Sequence, residues 1–215
     1  MQPATDDHRL LLQYFISHKV IAEDKIQQHF PKTRFEELVH GININLQNMH
    51  LEIKRIIAEE DGSVFWGIVN LKNDELSQIA TNYNKVEVDL FKAILDKLAS
   101  EGQMLYLDAI EVNPHMSRDK AENIILKFVD DKWLTRDGGE LVLGLRARLE
   151  LRPYLEEVFG EEMKECVFCT EIVFKGETCE NDRCSTVAHR HCAQRWFAEK
   201  PNPKCPTCSE PWEDE

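Results

Sequence analysis

Four couples of thiol and imidazole side chains lie near the C-terminal end of this sequence: Cys166 with Cys169, Cys179 with Cys184, His189 with Cys192, and Cys205 with Cys208. They take up all seven cysteines of the chain. In three of the couples two residues separate the partners, a gap that lets the backbone turn as a knuckle and aim both side chains at one ion. Soft thiolates and imidazole in a four-donor set suit tetrahedral zinc better than magnesium or calcium. Eight ligands suffice for two zinc ions, and four protein ligands per ion leave no position for water or substrate. Two structural zinc ions are therefore expected, with no catalysis at the metal.

Other cysteine chemistries explain the pattern less well. A disulfide framework would leave one of the seven cysteines over. The N-terminal stretch MQPATDDHRLLLQYF lacks the basic region and small-residue cleavage site of a secretory signal, so a reducing compartment is expected. A thioredoxin-like reading of CVFC finds no flanking βαβ pattern and leaves five cysteines unexplained. His189 has the two-residue gap to Cys192, whereas His191 adjoins that cysteine and the two cannot easily face one ion. His189 is therefore taken as the ligand, and His191 as a residue facing solvent or supporting a ligand. The other six histidines, at positions 8, 18, 29, 40, 50 and 115, have no ligand spacing. Spacing does not say how the couples share two ions, since sequential and interleaved arrangements both satisfy the count.

The elements that must carry this cluster read mostly as helices. Phe35, Leu38, Val39, Ile42, Leu46 and Met49 fall at three- and four-residue steps and predict an amphipathic helix. DDHRLLLQYFISH and AEDKIQQHF predict two shorter helices before it, with Pro31 closing the second. After it, two runs rich in Ile, Val, Phe and Trp flank Asp61-Gly62, a hairpin signal. The order then repeats. Val88, Phe91, Ile94, Leu95 and Leu98 predict one helix, and Ala121, Ile124, Ile125, Phe128 and Val129 another, with Ser117 as its N-cap. WLTRDGGELVLG follows as strand, Asp-Gly turn and strand. Helices followed by a hairpin, twice over, is the order of a winged-helix domain. A further short helix is expected from Leu145, Leu149 and Leu151, restarted at Pro153.

Composition narrows the function. The net charge is −13, with 42% hydrophobic and 30% charged residues, and no run approaches the roughly 18 apolar residues of a membrane span. Acidic residues outnumber basic ones throughout, so little counterion release on nucleic acid is expected. In the helix from Ser117 to Lys132, Arg118, Lys120, Lys127 and Lys132 are offset by Asp119, Glu122, Asp130 and Asp131. That helix is expected to dock protein rather than read DNA bases. The sequence offers no nucleophile with a partnered base, no phosphate-cradling glycine loop and no open metal site.

The ligand order, four cysteines, one histidine and three cysteines, resembles the RING variants of that order and the PHD fingers. The resemblance implies that the first and third couples hold one zinc (Cys166, Cys169, His189, Cys192) and the second and fourth the other (Cys179, Cys184, Cys205, Cys208). A PHD finger usually carries an aromatic two residues before its last couple, where Pro203 stands here. RING ubiquitin ligases dock a conjugating enzyme through three apolar residues, and Phe168, Trp196 and Pro206 occupy those places. The simpler role for Phe168 and Trp196 is packing over the zinc lobes. Many active RINGs also have a basic residue directly after the eighth ligand, where this chain has Ser209, a departure that weakens any intrinsic ligase activity.

Over nearly its whole length the chain is similar to the non-SMC element one family, on LEIKRII, EDG and VNL in the first wing, ILKFVDDKWL in the second unit, and RCSTVAHRHC and KCPTC in the last. The fold expected is mainly α with small β hairpins (α+β): winged-helix domains over 5–72 and, with a helical extension, 86–160, joined by a linker at 73–85, then a RING-like two-zinc domain over 161–212. The resemblance implies a subunit of the Smc five/six chromosome complex, located at the chromosome in the nucleus and acting in DNA repair and recombination. It implies a MAGE-type winged-helix partner, a kleisin, and a RING that docks a ubiquitin-conjugating enzyme and acts as a ligase stimulated by the MAGE partner. DNA contact is expected to be weak or supplied by partners. The competing expectation is a non-catalytic scaffold whose zinc module only braces the assembly.

Overall fold

The computed structural model describes residues 5–71, 83–160, 163–198, 200 and 202–212. Helix α1 (Asp6–His18) starts where the Thr5 hydroxyl accepts the His8 amide and the His8 ring accepts the Thr5 amide, a reciprocal cap that satisfies donors the helix start leaves free. It is followed by strand β1 (Val20–Ala22), α2 (Glu23–Gln27) and α3 (Lys32–Leu46). Strands β2 (Leu51–Ile57) and β3 (Val64–Asn70) form the hairpin, and the antiparallel sheet runs β1-β3-β2 with Ile21 opposite Trp66 and Ile53 opposite Ile68. Leu11, Phe15, Ile26, Phe35, Leu38, Ile42 and Ile53 close this first core. It is a winged helix.

The second unit repeats the order. Helix α4 (Lys85–Glu101) is capped by Asn84 and Glu87, each side chain bonding the other's amide. Then come β4 (Gln103–Leu105), α5 (Tyr106–Glu111), α6 (Arg118–Asp130), β5 (Leu134–Asp137) and β6 (Glu140–Leu143), with sheet order β4-β6-β5. Phe91, Ile94, Leu95, Phe128 and Trp133 lie at its centre. Helices α7 (Leu145–Glu150) and α8 (Arg152–Phe159), the latter with Pro153 in its first turn, add Leu151 and Leu155 to the same core. No helix among the described residues is long and apolar enough to cross a membrane.

Several local expectations are corrected. Met49 is exposed, because α3 tightens into a 3-10 turn at Gln47–Met49 and the buried stripe ends at Leu46. The first wing does not turn on two residues at Asp61-Gly62. Its loop is closed by the Ala58 amide on the Ser63 carbonyl, so Glu59 and Glu60 also lie in it, while Gly62 supplies a φ of +74°. In the second wing the turn residues are Gly138 and Gly139, both at positive φ, with Asp137 paired to Glu140. Ser117 stands at the N-cap of α6 but its side chain makes no capping bond. Most of the expected linker, 73–82, lies outside the described residues.

Among its described residues the C-terminal module has two small hairpins, β7 (Lys164–Glu165) with β8 (Ile172–Val173) and β9 (Glu177–Thr178) with β10 (Val187–Ala188), and one helix, α9 (Arg190–Phe197). It rests on both winged helices. Gly102, which ends α4 at φ +77°, has room for hydrogen only: a Cβ there would stand 2.4 Å from the Phe174 carbonyl oxygen. Gly102→Ala combines a left-handed backbone penalty with a clash against main chain, and should cost about 2–4 kcal/mol in urea unfolding. A loss below about 0.5 kcal/mol would mean that the module is not seated on α4 as described.

Candidate metal centre

Two knuckles of the same geometry present the first and fourth couples. In one, the Thr170 amide bonds the Cys166 carbonyl and the Cys166 amide bonds the Glu171 carbonyl. In the other, Ser209 bonds Cys205 and Cys205 bonds Glu210 in the same way. The residue after each second cysteine, Thr170 and Ser209, takes a φ of +61° and +65°, unusual for side-chain-bearing residues and held here by those paired bonds. The second couple leaves the β9 end and a turn at Asn181, and the third starts α9, with His189 at its N-cap.

The structure gathers the eight side chains into two groups. Ligand atoms of Cys166, Cys169, His189 and Cys192 lie within 4.8 Å of one another, and so do those of Cys179, Cys184, Cys205 and Cys208. Cys179 Sγ is 3.6 Å from Cys208 Sγ, Cys184 Sγ is 3.9 Å from Cys205 Sγ, and His189 Nδ1 is 3.3 Å from Cys169 Sγ and 3.9 Å from Cys192 Sγ. A zinc–sulfur distance of about 2.3 Å implies tetrahedral edges of about 3.8 Å between sulfurs and about 3.6 Å between sulfur and nitrogen. The observed spacings bracket these, and they are far from the roughly 2.0 Å of a disulfide. All seven cysteines are free. Each group can hold a metal ion.

Electrostatics argue the same way. Burial pushes the Cys166 thiol up, but amides of His189, Phe168 and Cys169 outweigh it and draw it down to about 7. At Cys205 burial is likewise outweighed, by the Cys208 and Thr207 amides, which bring it to about 6. Not every neighbour follows. Burial and then the charge on Cys166 hold Cys192 at about 12. At Cys179 the Asn181 amide favours the thiolate, yet burial and the facing sulfurs of Cys208, Cys205 and Cys184 push it to about 12. The first group thus ionises Cys166 readily and resists at Cys169 and Cys192, and the second favours Cys205 and, through the Thr186 hydroxyl, Cys184 while resisting at Cys179; a divalent cation would relieve the sulfurs that resist.

His189 and His191 are distinguished by what they touch. His189 faces two sulfurs through Nδ1 and is buried. Its Nε2–H donates to the Ile172 carbonyl at 3.0 Å and to Glu59 Oε1 at 3.2 Å. His191 meets only Cys192 Sγ, at 3.3 Å through Nε2, while its ring stacks on His189 and its Nδ1 lies 3.4 Å from the Glu59 carbonyl. It is half-buried against the first wing rather than open to solvent.

Phe168 and Trp196 come together on the module's outer side, rings stacked with centroids 5.1 Å apart and Lys200 over the Trp196 face at 4.0 Å. Trp196 is 50% exposed, Phe168 half-buried and Pro206 exposed in the last knuckle. Beneath them Ala193, Phe197 and Trp212 pack among the cysteines. Sequence reasoning missed Trp212 and, more consequentially, Glu59 and Arg148. No local signal marks them, because their partners lie far along the chain.

Residues 8–113 match the family described as the Nse1 non-SMC component of the SMC5-6 complex, and residues 166–208 match the RING-like domain. The chain is 31% identical to the human non-structural maintenance of chromosomes element 1 homolog over 229 residues, covering 98% of this chain and 85% of that protein. It is 25% identical to the Schizosaccharomyces pombe element 1, covering 97% and 92% respectively. A chain in a solved structure described as an Nse1-Nse3-Nse4 complex superposes over 100% of both chains with a TM-score of 0.88 at 25% identity.

Proposed function

The chain belongs to the Nse1 family, the RING-bearing non-SMC components of the SMC5-6 complex, and on that premise we propose that it is a ubiquitin ligase subunit whose activity depends on its partners. Those partners are an Nse3-type MAGE protein and an Nse4-type kleisin, in keeping with the assembly of the similar solved chain. Cys166, Cys169, His189 and Cys192 would hold one zinc, and Cys179, Cys184, Cys205 and Cys208 the other. When bound, the ions supply shape and no chemistry, since four protein ligands close each site. The site of action is the chromosome in the nucleus, in recombination and DNA repair.

One observation carries the ligase reading: Trp196, half exposed and stacked on Phe168, stands on a metal-braced module where a conjugating enzyme could rest. Catalysis then works by approximation. The module holds the charged conjugating enzyme so that its thioester meets the target amine, and no side chain of this chain takes the ubiquitin. The test is a reconstituted transfer assay with and without the MAGE partner, in which transfer should require that partner. The scaffold reading draws on a different feature, the charged network that fastens the module to both winged helices. Partner binding with no transfer by any conjugating enzyme would favour it.

DNA should be held mainly by the partners. Of the cations on α6, Arg118 pairs with Glu111, and Lys127 pairs with Glu87 at 3.1 Å while sitting over the Tyr83 ring. The isolated chain should show a dissociation constant no tighter than about 1 µM in gel-shift titration at physiological salt. Submicromolar binding would overturn this assignment of roles.

A further inference from the structure

Glu59 is an anomaly of the first wing. It lies in a loop whose next two residues, Glu60 and Asp61, are exposed, yet its side chain is only 5% exposed. A carboxylate is removed from water at that depth only when donors replace the water. Four do. Oε1 accepts the Phe174 amide at 3.0 Å and the His189 Nε2–H at 3.2 Å, and Oε2 accepts the Lys175 amide at 3.1 Å and lies 3.1 Å from Arg148 Nη1. A carboxylate has about four lone-pair sites, so this one is filled and cannot turn.

The donors come from two other parts of the molecule. Arg148 belongs to α7, beyond the second wing, and its other terminal nitrogen pairs with Glu60 at 3.4 Å. Phe174, Lys175 and His189 belong to the cysteine module. All four donors to Glu59 therefore lie outside its own winged helix, and deleting the carboxylate would strand donors on both other units. Burial pushes its carboxyl up, but the His189 bond, the Arg148 charge and the Phe174 amide outweigh it and hold it below the usual carboxylate range. The Glu59 main chain takes part as well: its carbonyl faces His191, and Gly62 in the same loop has the His191 Cβ 3.2 Å from where its own would be.

We propose that Glu59 is a positioning residue for the first zinc site: from the first wing it fixes His189 with Nε2 protonated and Nδ1 turned to the sulfurs, and so makes metal retention at that site depend on the docking of all three units. A carboxylate or carbonyl behind a ligating imidazole orients the ring and strengthens it as a ligand. Here both are present, and the Ile172 carbonyl would still hold the tautomer in the absence of Glu59. The effect should therefore sit at the lower end of the range such partners give.

The inference rests on the zinc reading above, and the test separates the two. Wild-type chain and Glu59→Gln are loaded with zinc, counted by metal analysis, and challenged with an excess of a chromophoric chelator. Gln keeps the shape but offers one acceptor oxygen in place of two. Glu59→Gln should release one of its two equivalents about 10-fold faster than wild type, and the other at the wild-type rate. Cobalt substitution identifies the fast site, because three sulfurs with one nitrogen give a visible spectrum distinct from four sulfurs. Should Glu59→Gln fail to fold, Arg148→Gln, which leaves the Glu59 carboxylate in place and removes its counter-charge together with the pairing to Glu60, should speed the same equivalent severalfold. Unchanged release, or equal acceleration of both equivalents, overturns the positioning role. Fewer than two zincs on the wild-type chain overturns the metal reading and this inference with it.

Discussion

Cys205→Ser is expected to cost the C-terminal module its fold while leaving both winged helices standing. Cys205 is 1% exposed, ends the approach of its knuckle to Cys184, and has its thiol among those drawn down furthest. The module has little else to hold it. Half of its buried cluster is cysteine, and apart from Ala188 and Ala193 the remainder is Phe197 and Trp212. Burying two aromatic side chains contributes roughly 3–6 kcal/mol, whereas a structural zinc contributes about 10–16 kcal/mol near neutral pH. Metal decides. Zinc content of the purified variant should fall from two per chain to one or fewer, fluorescence from Trp212 should shift toward that of an exposed indole, and trypsin should cut between 198 and 212. The winged-helix cores around Phe35 and Phe91 should still melt cooperatively. Two zincs retained by Cys205→Ser would remove Cys205 from the ligand set.

The same contrast between local and distant interactions explains what could be read from the chain alone. Helices α3, α4 and α6 each bury one stripe against a core, so their apolar residues recur at helical steps and the helices are legible. Strands β1 and β4 have three residues each and α5 has six, too few for any period to register, so the third strand of each wing went unread. The Asp61-Gly62 signal located the first wing but not the loop's width, because Glu59 turns inward to partners in other units. The cysteine couples were legible because a knuckle is a local object, built from a two-residue gap. How the couples share two centres was not, since spacing allows two answers. The bond from Glu59 to His189 joins residues 130 positions apart, and neither residue differs locally from an exposed glutamate or an ordinary ligand.

Trp196→Ala should lower partner-stimulated ubiquitin transfer at least about 30-fold and leave the molecule otherwise intact. Exposure separates the two effects. Cys192, Ala193 and Phe197 are buried, while Trp196, on the same arc of α9, stands at its rim, half exposed and touching Phe168 and Lys200. Its removal therefore opens no cavity, and loss of the Phe168 stack should cost only about 1 kcal/mol of stability. At a docking surface the arithmetic differs. A tryptophan at the centre of an interface typically contributes 2 kcal/mol or more, which corresponds to a factor of about 30 in the population of the docked complex. Phe168→Ala would be a poorer test, because Phe168 also packs edge-on against Phe197 and its loss would disturb the core. Zinc content of two and unaltered affinity for the MAGE partner, alongside collapsed transfer, would locate the defect in conjugating-enzyme docking. Undiminished transfer by Trp196→Ala would remove the stacked pair from the mechanism and leave the module as a brace, its purpose then lying in the contacts that Glu59 and Arg148 make beneath it.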